Sequence, residues 1–513
     1  MAEVGLDRPN LTEDDERIYQ LQDERLACLM TRKANLLDEL SEIESNIKDI
    51  LRERRERVYS ASSIAPLPNE ILSTIFLEVQ RNGKANGVRA TEVTMSHVCS
   101  RWRDIALTLP PLWNVFQHCQ ARSRSSVQST EERLRAYLER SGDLPFDLWI
   151  DFTTKRNLRG HRLLSLLHIV IPHLHRCRVL HLLSDQNHPL HEFQKSLATA
   201  SVPLLEVCAI CPDYLSPLGH IERSQPNIFK NGAPSLKYLR LDETTLLSIR
   251  PPLDSVVCLR IERRRAKASA WIPNSILDTI LSLPNLQTLS ISANVFHLQG
   301  KGGSTPTERI MAKKLENLRS ADATLTAYIL SHTSTPSLRS LTLQNFDLNE
   351  GSMTLPDELD FLSLRTLTLT NPKWRSRWSR YDVRNLKKVI AASPNVEEVI
   401  LWGDSNDSFE VLYSTFKAIL GVSSWTKIKR ATFSMNPRNP QETGYFEQFV
   451  QRNPELELLR LPATCFTDPK FLEWVPSRVE LQPNTTKLEL PLPLCSLPGL
   501  DWLDTEGDLF GLN

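Results

Sequence analysis

Residues Leu286–Asn294 read LQTLSISAN. Apolar residues stand at the first, fourth and sixth positions, and an asparagine stands at the ninth. In an extended chain alternate side chains share a face, so Leu289 and Ile291 point to one side and Thr288, Ser290 and Ser292 to the other. One such strand cannot cover its own apolar face, so its meaning depends on copies elsewhere in the chain. Weaker copies are LKYLRL from Leu236, VVCLRI from Val256, LRSLTL from Leu338, LRTLTL from Leu364, VEEVIL from Val396 and LELLRL from Leu456. Prolines introduce many of them, as in SLPNLQTL, TPSLRSL, SPNVEEV and NPELELL.

The spacing L-x-x-L-x-L-x-x-N is that of a leucine-rich repeat, whose units are about 20–29 residues long and stack to bury a continuous core. Here the starts fall roughly 20–32 residues apart, so the array is irregular. The predicted fold is an α/β solenoid. It comprises a short N-terminal helix or coiled coil, a small all-helical domain, and an irregular leucine-rich-repeat horseshoe with a parallel inner sheet. Alternation assigns Tyr238, Arg240, Asp242, Arg260, Glu262, Thr288, Ser290, Ser292, Ile400 and Trp402 to the accessible inner rim.

The chain has 513 residues, too many for one core and enough for roughly three domains, or for one small domain plus one long array. Lys plus Arg and Asp plus Glu both total 61, so no global field draws the protein to nucleic acid or an acidic membrane. The 9 cysteines are scattered, and no charged-then-apolar leader is present. The longest apolar run, LLSLLHIVI from Leu163, is about half a bilayer span. These features predict a reduced, cytoplasmic or nuclear protein without membrane or nucleic-acid partners.

The first sixty residues have a helical pattern. Leu36, Leu40, Ile43, Ile47 and Ile50 alternate steps of four and three, the seam of a coiled coil, flanked by charges. The strict seam lasts only about two heptads, so self-association and a helix folded onto its own domain both stay open. The run Arg52–Arg57 mixes signs and suits a solvated face.

From Ile64 the chain reads IAPLPNEILSTIFLEV, and after a polar gap SHVCSRWRDIALTLPPLW, ending at Trp113. Pro68 near a first helical turn, with Glu70 beside it, marks a helix start. Ile71, Leu72, Ile75, Phe76 and Val79 make a stripe too broad for one neighbouring layer. A second stripe carries Val98, Trp102, Ile105 and Ala106, and Pro110-Pro111 stops it before Leu112 and Trp113.

LPNEILSTIF, HVCSRWRDIAL and LPPLW together resemble an F-box domain in the form common in large fungal families. The segment Arg81–Val93 is longer than the link in many relatives. The resemblance covers about fifty residues, and LRAYLERSGDLPFDLWIDF downstream also looks like the segment that follows the F-box in those relatives. It implies docking onto a Skp-family linker protein, and through it onto cullin and RING subunits. The residues it assigns to that role are Leu67, Pro68, Ile71, Leu72, Ile75, Phe76, Val98, Cys99, Trp102 and Trp113. The division of these between internal core and docking surface stays open.

The domain plan that follows is an N-terminal helix at 1–60, the F-box domain at 61–118, a linker and lead-in at 119–160, the repeat domain at 161–495 and a tail at 496–513. The expected function is that of a substrate-recognition adaptor in a cullin–RING (SCF-type) ubiquitin ligase, with no catalytic residues, metal or cofactor of its own. Holding a target near a charged ubiquitin carrier makes the encounter local. A scaffold that binds the Skp protein without building a ligase is an alternative, as is a repeat protein that binds nucleic acid. For the unknown target protein, the loop PKWRSRWSRY from Pro372 offers Trp374, Arg375, Arg377, Trp378 and Arg380, and the strand exit after Arg260 offers Arg263, Arg264 and Arg265. Trp and Arg are the types enriched in binding hot spots.

Enzyme motifs are weak. Cys208 and Cys211 form a lone C-x-x-C, His173, His175 and Cys177 lack zinc-finger spacing, and the Gly300–Thr305 loop lacks the order of a phosphate-binding loop. No G-x-S-x-G or H-E-x-x-H is found.

Overall fold

The computed structural model describes residues 12–60, 64, 66–83, 91–119, 127–152, 161–184, 195–211, 228–242, 245–246, 250–262, 274–292, 295–296, 309–344, 355, 359–370, 384–403, 409–421, 425–435, 440–467 and 473–484. The chain divides into two compact units, Met1–Ile75 and Phe76–Asn513, and the division falls inside a helix.

The first unit contains a 48-residue helix, α1 (Glu13–Ser60). Its start is a reciprocal cap in which Thr12 Oγ1 donates to Asp15 Oδ2 at 2.6 Å and the Asp15 N–H donates to Thr12 Oγ1 at 3.4 Å. The Thr12 hydroxyl bond, with a second from the Thr12 N–H to Asp15 Oδ2 at 3.2 Å, holds the Asp15 carboxyl below its ordinary pKa. Glu13, Asp14, Asp15 and Glu16 all sit at the positive end of the helix dipole. No glycine or proline interrupts the helix, which is therefore about 72 Å long. Helix α2 (Asn69–Gly83) begins in this unit and runs into the second.

The second unit continues with α3 (Thr91–Ser96), α4 (Ser100–Leu107) and a tight turn at Pro110–Leu112. A parallel sheet then starts with β1 (Val115–Cys119), β2 (Phe146–Phe152), β3 (Cys177–Ser184), β4 (Val207–Cys211) and β5 (Tyr238–Asp242). It continues through β6 (Cys258–Glu262), β7 (Thr288–Ile291), β9 (Asn317–Ser320), β11 (Ser340–Gln344) and β12 (Thr366–Thr370). The last strands are β13 (Glu398–Trp402), β14 (Arg430–Phe433), β15 (Leu458–Leu461) and β16 (Glu480–Pro483). Two short strands, β8 (Ile310–Met311) and β10 (Thr333–Ser334), pair beside it.

All 14 strands of the main sheet lie in chain order and pair in parallel with their successors. Among the described residues no strand of this sheet is inserted out of sequence. Such a succession is what stacking of similar units produces, and the unit is an α/β solenoid-like array. The motifs from Leu236, Val256, Leu286, Leu338, Leu364, Val396 and Leu456 supply β5, β6, β7, β11, β12, β13 and β15. The strands the sequence motif misses depart from it at one or both inward positions, with Cys208 before Ile210 in β4, Ser320 after Leu318 in β9, and Ala431 and Phe433 in β14. The sheet begins at Val115, and its second strand lies in the segment LPFDLWIDF, ahead of the repeat motifs.

Register explains the stability of the array. Leu239, Leu259, Leu289, Leu318, Leu341 and Leu367 align across successive strands and are 0–2% exposed. Each such leucine contributes about 1.5–3 kcal/mol by leaving water. The prolines that introduce the repeats have a related role. Ser235, Asn285, Ser337 and Asn395 each directly follow a proline. Their side chains donate to a main-chain carbonyl one turn back, at Pro203 O (2.7 Å), Asp254 O (2.8 Å), Lys313 O (2.7 Å) and Leu362 O (2.9 Å). Turns are thus tied together by side chains while the strands are tied by backbone.

Two polar anchors hold the first strands. Arg176 is buried and donates to Leu138 O (2.9 Å), Leu144 O (2.8 Å) and Ser141 Oγ (3.1 Å), capping the end of the helix Val127–Arg140. Asp147 on β2 accepts two bonds from Arg178 on β3, from Nε to Oδ1 at 3.0 Å and from Nη2 to Oδ2 at 2.6 Å. Among the described residues no helix is long and apolar enough to cross a membrane.

Candidate functional site

Helix α2 sorts its apolar stripe into two rows. Leu72, Phe76 and Gln80 are buried, whereas Ile71, Ile75 and Val79 are 48%, 40% and 44% exposed. Each row advances by four residues, and the rows are one residue, or about 100°, apart around the helix. One half of the stripe is therefore core and the other half meets water. Leu67 is half-buried and Pro68 exposed, with the Pro68 carbonyl accepting the first helical bond from Leu72 N at 3.1 Å.

Helix α4 is capped by a thiol. The Cys99 side chain accepts from the Trp102 N–H at 3.4 Å, which starts the helix and leaves Cys99 half-buried. Trp102 packs its ring 4.8 Å from that of Phe76, Ile105 and Ala106 are buried, and Val98 is exposed. Trp113 is buried, and its Nε1 donates to Ala106 O at 2.7 Å. Tyr137 meets it edge-on at 5.1 Å, and the Arg140 guanidinium lies 4.4 Å above it. Gln80 Nε2 donates to Leu112 O at 2.5 Å.

The ten residues singled out in the sequence are thereby divided. Leu72, Phe76 and Trp113 are interior residues, and Leu67, Cys99 and Trp102 are partly interior. Pro68, Ile71, Ile75 and Val98 are exposed, as is Val79, a member of the stripe outside those ten. The pair Tyr137 and Glu92 was missed. The Tyr137 hydroxyl donates to Glu92 Oε1, and burial, with Glu92 beside it, pushes the Tyr137 pKa up. No local pattern announces this contact, because the two residues are 45 positions apart.

The sheet face opposite the leucines changes character along the array. Val115, Trp149, Val179 and Val207 form an apolar cluster with Tyr238 packed against it. Arg240, Arg260, Ser290 and Arg319 then follow in one register row, succeeded by Thr342 and Thr368 and by Ile400. By register the predicted positions share this face, but the expected accessibility is corrected for all of them except Tyr238, which is half-buried, and Glu262, whose side chain lies outside the described residues. Arg240, Arg260 and Arg319 are 4–8% exposed, and Asp242, Thr288, Ser290, Ser292, Ile400 and Trp402 are also buried. Strands about 4.8 Å apart set each side chain between two in-register neighbours, and short Ser290 leaves room for Arg260 and Arg319 on either side.

The remaining candidates are placed as follows. Cys208 is a buried core residue whose thiol pKa is pushed up by burial, so it is not a ready thiolate. Burial also raises the pKa of Cys177, and it lowers that of His173, with Arg176 adding to the latter shift. Among the described residues no group of three or more His, Cys, Asp or Glu is placed to hold a metal ion. Trp374, Arg375, Arg377, Trp378, Arg380, Arg263, Arg264 and Arg265 lie outside the described residues, as does the Gly300–Thr305 loop.

No protein-family model matches the chain. No curated protein matches it. Among solved structures, the crystal structure of a protein from Bacteroides fragilis is similar at a TM-score of 0.26 and 13% sequence identity. That match covers 45% of this chain and 66% of the other, just under two thirds of its length.

Proposed function

We propose that the chain is a substrate-recruiting adaptor of a cullin–RING ubiquitin ligase, with residues Leu67–Trp113 acting as an F-box that binds a Skp-family protein. The observation that carries the reading is the split stripe of α2. Leu72 and Phe76 are core residues, yet the adjacent row of Ile71, Ile75 and Val79 exposes branched aliphatic side chains at four-residue spacing. A regular second apolar row of this kind is the surface a partner would cover. In this reading the parallel array is a leucine-rich-repeat-like domain that selects the target, and the ubiquitin chemistry belongs to other subunits. The adaptor acts by proximity.

The test is capture of a Skp-family protein by the full chain and by Ile71→Asp with Ile75→Asp. Both side chains are exposed, so the variant is expected to keep its melting temperature and lose capture. Equal capture by a folded variant overturns the assignment. Recovery of cullin and RING subunits together with the Skp protein supports the ligase role; recovery of the Skp protein alone points to a scaffold.

A further inference from the structure

Sequence spacing marks a coiled-coil seam over Leu36–Ile50, but α1 runs without a break from Glu13, so the same spacing continues back to Tyr19. In heptad terms the a positions are Tyr19, Leu26, Lys33, Leu40 and Ile47, and the d positions are Gln22, Leu29, Leu36, Ile43 and Ile50. This is about four and a half heptads, beyond the three to four that define a coiled coil. The apolar members are 51–65% exposed. Midway along the helix, Leu29, Arg32, Lys33, Leu36, Leu37 and Leu40 line a shallow groove, the kind of hole a knob from a facing helix fills.

We propose that α1 is covered by α1 of a second copy of this chain, running antiparallel and centred between Lys33 and Leu36. The length and spacing of the seam call for a helix of the same kind, and its charges choose the direction. In an antiparallel pair each a position faces a d position, so Lys33 lies over Leu36 of the second copy and Gln22 over Ile47 of the second copy. On one flank Met30 meets Leu37 of the second copy; on the other Arg32 meets Glu39 of the second copy. The like-charge contact, Asp23 with Glu44 of the second copy, falls away from the centre. A parallel pair instead stacks Lys33 on Lys33 inside the seam and sets Glu39 against Glu44 on both flanks, close to the middle. Like charges directly opposed are unfavourable, and a lysine at an a position is tolerated at a cost in stability.

The experiment is light scattering and sedimentation equilibrium of the full chain at micromolar concentration. A dimer is expected, and Leu36→Glu with Ile43→Glu is expected to give a monomer with unchanged helical content. A monomeric wild type, or a dimer that survives both substitutions, overturns the proposal. Direction is read from Glu39→Arg, which in the antiparallel pair sets one arginine opposite each Arg32 and weakens association about three- to tenfold. Adding Arg32→Glu to it restores the pair. Unchanged or tighter association of Glu39→Arg overturns the antiparallel arrangement, because in a parallel pair the new guanidinium is attracted to Glu44 of the second copy. Skp-protein capture is unaffected by these substitutions, so this inference and the proposed function fail separately.

Discussion

The helix Glu13–Ser60 and the parallel array use the same residue for opposite ends. Along the helix seam leucine and isoleucine are 51–65% exposed, while the aligned leucines of the array are 0–2% exposed. Both sets are strictly periodic, with a four–three spacing in one and alternation in the other. Periodicity therefore reports which face is apolar, and only the neighbouring element decides whether that face is covered. Helix α2 holds both situations in one element, with Leu72 and Phe76 buried and Ile71 and Ile75 exposed on the adjoining row.

This contrast can be broken by substitution. The largest effect is expected in the array, where Leu341→Ala leaves a cavity among in-register leucines and costs about 2–5 kcal/mol in urea unfolding. A loss below about 1 kcal/mol would mean that the row collapses around the gap. Next is Asp147→Ala, which removes the carboxylate that Arg178 grips between β2 and β3. Its expected cost is about 2–3 kcal/mol, below the ~3–5 for a fully buried pair, because the Arg178 side chain stays 32% exposed and can reach water.

Tyr137→Phe removes the donor to Glu92 and is expected to cost about 1.5–3 kcal/mol, the range for a hydrogen bond to a charged group. It also has a pH signature. Burial and Glu92 raise the Tyr137 pKa in the folded state, so the unfolded chain loses its phenolic proton first. The contribution of Tyr137 is then complete below about pH 10, the ordinary tyrosine value, and is lost as pH rises beyond it. Unfolding measured between neutral and strongly alkaline pH should show a shallower decline in Tyr137→Phe than in the wild type. The smallest effect belongs to the exposed row, where Ile71→Ala is expected to change stability by no more than about 0.5 kcal/mol. A larger loss would make Ile71 a core residue and sharpen the division of α2 differently.

Much of the array was legible in the sequence. The motifs from Leu236 to Leu456 announce their strands because alternation places paired leucines on one face and a proline-led turn resets the chain. β9 and β14 were not legible, since Ser320 and Ala431 occupy inward positions where the motif expects leucine, and size there is chosen by what packs opposite. In the helical segment the sequence could name the ten residues of the F-box-like pattern but could not divide them. Leu72 and Ile71 are adjacent and equally apolar, and only packing separates them.

By itself, then, the amino-acid sequence determined the long N-terminal helix, the positions of most strands and the apolar character of α2, because these follow from local spacing, caps and breakers. Tertiary structure decided that the arginine row Arg240, Arg260 and Arg319 is buried rather than open. It also decided that Trp113 is anchored through Ala106 and that Glu92 meets Tyr137. Such outcomes depend on residues brought together from distant points of the chain, and no local period encodes what a side chain meets on the other side.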